Sequence, residues 1–274
     1  MATDIMQAQV GGPSVTKMPG HWVLARLGKR VLRPGGVELT RQMLDGLGIT
    51  SSDVAVEFAP GLGHTARWVI PKCSRYIGVD RDMNAVRALS ESFRASRHAS
   101  FVHASADKTG LETGVATVVW GEAMLSIQSA PQKERIIREA ARLLAPGGRY
   151  VIHELCLTPD TIDTQTRQRI ERELSLEIHV GVQPATESEW RALLERNGFR
   201  VTQAFRSPMC LLEPARLIRD EGLRGVLRIL YNALRDPQAR RRALAMRRLF
   251  RRFRQHLSAI SLIAVRESDK SEGD

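Results

Sequence analysis

The chain has 274 residues, of which 43% are hydrophobic and 26% charged, with a formal net charge of +11. This is the composition of an ordinary folded protein, which excludes a fibrous or largely unstructured one. No stretch approaches the roughly 18 consecutive apolar residues of a membrane span. The N-terminal MATDIMQAQVGGPSVTK also lacks the basic-then-apolar order of a secretion signal, so a cytoplasmic location is expected.

Cys73, Cys156 and Cys210 lie far apart, without zinc-site spacing or a disulfide framework, so no metal is expected. The positive charge is concentrated late. Between Arg206 and His256 there are fourteen arginines, no lysine and four acids (Glu213, Asp220, Glu221, Asp236), and the rest of the chain is nearly neutral. The basicity therefore belongs to one segment rather than to the whole surface.

In chain order, a polar tail over 1–19 precedes a helical segment over 20–50. It reads as two short amphipathic helices separated by the breaker Pro34-Gly35-Gly36. The first good strand is Val54 to Phe58, followed by a glycine turn and the helical spacing of HTARWVI. A strand at Tyr76–Val79, a helix from about Met83 to Phe93, and strands near Phe101–His103 and Ala116–Trp120 come next.

Pro131 fits a first helical position, with Ile136, Ile137, Ala140 and Leu144 as the apolar stripe. Pro146-Gly147-Gly148 should stop that helix before a strand at Arg149–Glu154. A polar helix follows Pro159. Thr186-Glu187-Ser188-Glu189 is a capping-box pattern, Gly198 closes the helix it opens, and strands are expected at Arg200–Phe205 and Leu257–Val265.

Strands alternating with helices imply an α/β fold, doubly wound on a mainly parallel seven-stranded sheet. The α/β domain should span 51–267, with a basic helical insertion at 212–256 and a disordered tail at 268–274.

The chemistry is concentrated in VAVEFAPGLGHTARW. A strand runs into Glu57-x-Ala59-x-Gly61-x-Gly63 and then into a helix, whose start presents unpaired N–H groups beside glycines that permit close backbone approach. Seventeen residues after Gly63, Asp80 ends the second strand, where a carboxylate can accept both hydroxyls of an adenosine ribose. Gly61-x-Gly63-x-x-Ala66 by itself also fits a dinucleotide fingerprint, so a nicotinamide-dependent oxidoreductase is a live alternative. Glu57, four residues before Gly61, favours a ligand with a cationic amino-acid end.

Glu57-x-Ala59-x-Gly61-x-Gly63, Gly78-Val79-Asp80, the run Phe101 to Ala106 and RLLAPGGRYVIHE together resemble class I S-adenosylmethionine-dependent methyltransferases. The likeness is nearest to the small-molecule enzymes of the quinone-biosynthesis type and covers about residues 54–154. It implies the Rossmann-like methyltransferase fold, S-adenosyl-L-methionine as cofactor, and methyl transfer to an unspecified acceptor.

The same resemblance implies that Glu57, Ala59, Gly61 and Gly63 cradle the methionyl part of the donor, with Phe58 and Gly121 in the same site. Asp80 would bind the ribose, Arg81 and Met83 would lie beside the adenine, and Ser105, Ala106 and Asp107 stand where an adenine contact is usual. Alanine occupies position 59 where many members have glycine, a change tolerated at negative φ.

In open α/β sheets ligands gather beyond the carboxyl ends of the strands. This makes Glu122, His153 and Glu154 the candidate catalytic groups, while His21, His64 and His179 read as structural or exposed. A small-molecule acceptor, apolar or lipid-like, ranks well above nucleic acid, because the basic segment has few aromatic platforms. A donor-binding sensor without turnover is the non-enzymatic alternative.

The insertion should form two helices that cover the acceptor pocket. Leu223, Val226, Leu230 and Leu234 would be one apolar stripe, and Ala243, Met246, Phe250, Phe253 and Leu257 the other, with a break at Asp236-Pro237. Its arginines fit a solvated face, peripheral contact with an anionic membrane, or another anionic partner.

Overall fold

Strand β1 (Val54–Phe58) lies in the middle of the computed structural model, which describes residues 15–267, with four of its five residues buried. That is the burial expected of a strand covered on both faces. The chain ends at 1–14 and 268–274, where most of the two tails is expected, lie outside the described residues.

Strands β2 (Arg75–Asp80), β3 (Ala99–His103), β4 (Ala116–Glu122) and β5 (Leu144–Leu157) pair in parallel around β1. The two-residue β6 (Ala185–Thr186) pairs with the far end of β5. Strand β7 (Phe199–Pro208) and the last strand, β8 (Leu257–Arg266), complete the sheet in the order β3-β2-β1-β4-β5-β8-β7. β8 runs antiparallel to both of its neighbours. Strand order reverses between β1 and β4, so a crevice for ligands opens beyond their carboxyl ends. The seven expected strands are thus present, with the short β6 as an eighth.

The helices that cover the sheet are α1 (Gly20–Arg26), α2 (Gly36–Leu47), α3 (Ala66–Val69), α4 (Met83–Ser92), α5 (Ala130–Leu143), α6 (Thr164–Ile178) and α7 (Glu187–Glu195). α8 (Pro214–Arg235) and α9 (Pro237–Arg252) form the insertion between β7 and β8. The capping box that opens α7 is complete: Thr186 accepts from the Glu189 amide, and the Glu189 carboxylate accepts from the Thr186 amide. None of the described helices is long and apolar enough to cross a membrane.

Three boundaries differ from the sequence reading. α1 ends by Leu27 because Gly28 turns the chain at φ +96°, so residues 28–34 form an irregular arm rather than more helix. Pro146-Gly147-Gly148 does not separate a helix from a strand. α5 passes directly into β5, and these residues form an irregularity in the pairing with β4, between Ala116 and Val118.

The third difference concerns the insertion. Met246 and Phe250 of α9 and Phe253 just beyond it are buried as expected, but in α8 Leu223, Leu230 and Leu234 are 70%, 55% and 72% exposed. α8 turns Ile229 and Ala233 inward instead. It is bent at Gly222, whose φ of +68° is outside the helical range.

Candidate active site

A pocket of about 450 Å³, within the range of small-molecule sites, opens at the carboxyl ends of β1, β2 and β4. One end is polar and lined by the glycine turn. Glu57 is buried there and its carboxylate accepts a 2.5 Å hydrogen bond from the Tyr76 hydroxyl. Burial pushes the Glu57 carboxyl up to about 8; the Tyr76 hydroxyl opposes this and the nearby Glu122 carboxylate adds to it.

Ala59 also lines this end, at φ +53°. The alanine therefore does not keep the negative φ under which its replacement of glycine is unstrained. Its amide is tied to the Val79 carbonyl at 2.8 Å, which holds the turn across β2.

Asp80 lines the same end and accepts from the Asp82 amide at 2.9 Å and from the Gly61 amide. Burial raises its carboxyl, and those two amides oppose the shift. Gly61, Arg81, Ser105 and Ala106 also line the pocket.

Five residues expected in the donor site lie outside the pocket wall. Phe58 is core, Met83 projects outward at 39% exposure, and Asp107 is engaged by Ser105 and by Arg135 at 3.4 Å. Gly121 sits in β4 against Met124. Gly63 is a turn and packing residue: its φ is +69°, and an added Cβ would come within 2.6 Å of Leu89.

The three candidate catalytic groups are already engaged. Glu122 accepts from Thr40 at 2.7 Å, from Thr65 and from His153 Nδ1 at 2.9 Å, and forms an ion pair with Arg33, whose Nε lies 2.8 Å away and donates to the Thr40 hydroxyl at 2.5 Å. Burial opposes its ionisation, but Arg33 and His153 outweigh that and hold it at about 2. His153 is fully buried, outside the pocket wall, with its other ring nitrogen 2.6 Å from the Pro34 carbonyl oxygen.

Glu154 accepts four hydrogen bonds, from the amides of Met124, Leu125 and Ser126 and from the Ser126 hydroxyl, at 2.7–2.9 Å. It thereby fixes the loop after β4. Glu122 and Glu154 reach the pocket wall, but as groups whose lone pairs are committed to the protein.

The sequence reading missed the contribution of the N-terminal arm. Arg33 is buried, lines the pocket, donates Nε to Thr40 and pairs with Glu122, leaving Nη2 buried without a partner. A buried guanidinium N–H left unpaired is costly, so Nη2 is a donor that the described residues do not satisfy. His21 and His64, expected to be structural or exposed, also line the pocket. Burial lowers both to about 4, assisted by Arg81 for His21 and by Arg33 for His64, so both imidazoles are neutral near pH 7.

The other end of the pocket is apolar. Leu24 from α1, Leu32 from the arm, Ile127, Ile178, Met209, Leu211 and the α9 residues Met246 and Phe250 form its walls. The arm and the end of α6 converge here only through tertiary packing, which local periodicity does not reveal.

Residues 56–152 match the family of the methyltransferase domain. An uncharacterized protein of Haemophilus influenzae is 32% identical over 250 residues, covering 90% of this chain and 96% of its own length. Among solved structures, MccD protein superimposes with a TM-score of 0.67 at 16% identity, over 86% of this chain and 99% of that one.

Geranyl diphosphate C-methyltransferase from Streptomyces coelicolor, in complex with Mg2+, geranyl diphosphate and S-adenosyl-L-homocysteine, gives 0.60 at 15% identity, over 82% and 77% of the two chains. Phosphoethanolamine N-methyltransferase 2 of Haemonchus contortus, in complex with S-adenosyl-L-methionine, gives 0.66 at 14% identity, over 86% of this chain and 54% of that one.

Proposed function

The chain belongs to the class I S-adenosylmethionine-dependent methyltransferases, and from that premise we propose that it methylates a small, apolar molecule at the expense of S-adenosylmethionine. The observation that carries this reading is the continuity of the pocket: a polar cleft at the glycine turn opens into a chamber walled by aliphatic and aromatic side chains. The family match sets aside the nicotinamide reading of the same glycines.

The residues present fit the donor. Glu57 offers a carboxylate for its ammonium group, and the unpaired Nη2 of Arg33 offers a donor for its carboxylate. Asp80 is placed to accept from ribose hydroxyls, and Arg81, Ser105 and Ala106 form the edge where the adenine belongs. When bound, S-adenosylmethionine supplies a methyl group made electrophilic by its sulfonium.

The protein's contribution is then orientation and exclusion of water. The apolar walls hold the acceptor, and the neutral imidazoles of His21 and His64 can accept a hydrogen bond from an acceptor hydroxyl and so orient it. Glu122, His153 and Glu154 act as positioning residues: the first two tie the N-terminal arm to the sheet, and the third shapes the loop after β4.

Calorimetry with S-adenosylhomocysteine tests the donor site, where Asp80→Ala should weaken binding by about 1–3 kcal/mol through loss of a charge-assisted partner. Incubation with isotopically methyl-labelled donor and a cell extract, followed by mass spectrometry, tests turnover. Donor binding with no labelled product from any extract would favour a sensor over an enzyme.

A further inference from the structure

The outer face of α8 is the most apolar exposed surface among the described residues. Of nine exposed large hydrophobic side chains there, six lie on this helix (Ile218, Leu223, Leu227, Leu230, Tyr231 and Leu234), and a seventh, Leu244, lies on α9. Positions 223, 227, 230 and 234 recur at helical spacing, so these leucines form one stripe. Scattered exposed leucines are ordinary, but a contiguous stripe marks an interaction surface.

The charge around the stripe is predominantly positive. Arg224 and Arg235 on α8 and Arg241 and Arg248 on α9 are exposed, while Arg219 is paired with Glu38 at 3.6 Å. The four acids of the segment are all engaged. Asp220 and Glu221 are buried around Lys29, each 3.5 Å from its Nζ, and Glu221 also accepts from the amides of Arg30 and Val31. Glu213 is bridged to Arg247 and Arg251, and Asp236 caps α9 and pairs with Arg26.

We propose that this face docks the protein on an anionic lipid bilayer, with the leucines entering the acyl boundary and the arginines meeting the headgroups. An amphipathic helix lying in the interface uses both of these components. A second copy of the chain is a poorer occupant, because it would bring two arginine-bordered faces together. Nucleic acid lacks a stacking platform, since Tyr231 is covered by Arg235 at 4.5 Å and Phe250 and Phe253 are buried.

The surface is also joined to the pocket. Arg228 donates to the Gly28 carbonyl at 2.8 Å and Asn232 to that of Leu27 at 3.2 Å. Glu221 holds the amides of Arg30 and Val31, so α8 is bonded to the arm that supplies Arg30, Leu32 and Arg33 to the pocket wall. Docking therefore places the apolar chamber beside a phase in which an apolar acceptor dissolves. That link rests on the methyl-transfer reading; the docking itself does not.

The test is flotation of the full chain with phosphatidylcholine vesicles, with and without phosphatidylglycerol. Binding is expected to the anionic vesicles and to fall steeply with salt. The double variant Leu227→Gln, Leu230→Gln should reduce partitioning roughly tenfold or more. Arg224→Gln and Arg235→Gln should each reduce it by roughly fivefold. All four residues are exposed, so folding and S-adenosylhomocysteine affinity should be unchanged.

Absence of binding to anionic vesicles would overturn the proposal. So would equal, salt-insensitive binding to both vesicle types, or a stable dimer that the leucine variant abolishes. Docking without any donor binding would instead sink the methyl-transfer reading and leave the surface assignment standing.

Discussion

Arg33 pairs with Glu122, its Nε 2.8 Å from the carboxylate, and keeps Nη2 buried without a partner, so one guanidinium anchors the N-terminal arm and holds one donor unused. If that donor meets the carboxylate of S-adenosylmethionine, Arg33→Met should weaken S-adenosylhomocysteine binding roughly 10- to 100-fold, the range for a hydrogen bond to a charged group. Decarboxylated S-adenosylmethionine lacks the partner, so its affinity should change little. Equal weakening of both ligands in calorimetry would mean that Arg33 acts only by holding Glu122.

Glu154 should matter for stability rather than for donor affinity. Its two oxygens accept four hydrogen bonds from Met124, Leu125 and Ser126, and Glu154→Gln would turn an NH2 group toward at least one of those donors. A cost of about 1–3 kcal/mol follows from a buried donor facing a donor. Chemical denaturation should show the loss, with S-adenosylhomocysteine affinity of the folded variant close to that of the original protein.

The parts of this site that were legible in the sequence are those that local chemistry determines. A strand carrying Glu57 next to its last residue, a glycine turn and a carboxylate at the end of the next strand require one another's geometry, and Asp80, Gly61 and Ala59 meet at one pocket end. The arm was not legible, because nothing in residues 28–34 indicates that Arg33 will face Glu122, which is brought near only by the packing of α2 on the sheet.

His21 and His64 reach the pocket wall through the same kind of tertiary packing. α8 shows a different limit. The leucine spacing correctly placed Leu223, Leu230 and Leu234 on one face, but periodicity does not say whether a face points inward, and here the inward face carries Ile229 and Ala233.

Ala59 offers a test of strain at the glycine turn. At φ +53° an L-residue costs about 1–2 kcal/mol relative to glycine. Glycine gives back about 0.4–1 kcal/mol through the greater freedom of its unfolded chain. Ala59→Gly should therefore stabilise the protein by up to about 1 kcal/mol, seen as a melting temperature higher by up to about 4 °C for a chain of this size. A lower melting temperature would mean that the methyl group of Ala59 makes contacts worth more than the strain.

Glu57 should couple donor binding to pH. Burial holds its carboxyl at about 8, so in the free protein at neutral pH it is mostly protonated, whereas a ligand ammonium group is best met by the carboxylate. Binding near pH 7 should then release close to one proton. Affinity for S-adenosylhomocysteine should rise by up to about tenfold per pH unit from about pH 6 to 8 and flatten above that.

The sign for the ligand-free protein is opposite. A carboxyl raised above its unfolded value contributes stability that is present below the ordinary carboxylate range and is lost as pH rises through about 8. Ligand should therefore raise the melting temperature most on the alkaline side. Calorimetry in two buffers of different ionisation enthalpy counts the released proton directly, and Glu57→Gln should abolish both the release and the pH slope. An affinity that is flat from about pH 6 to 8 in the original protein would show that Glu57 does not meet the ammonium group.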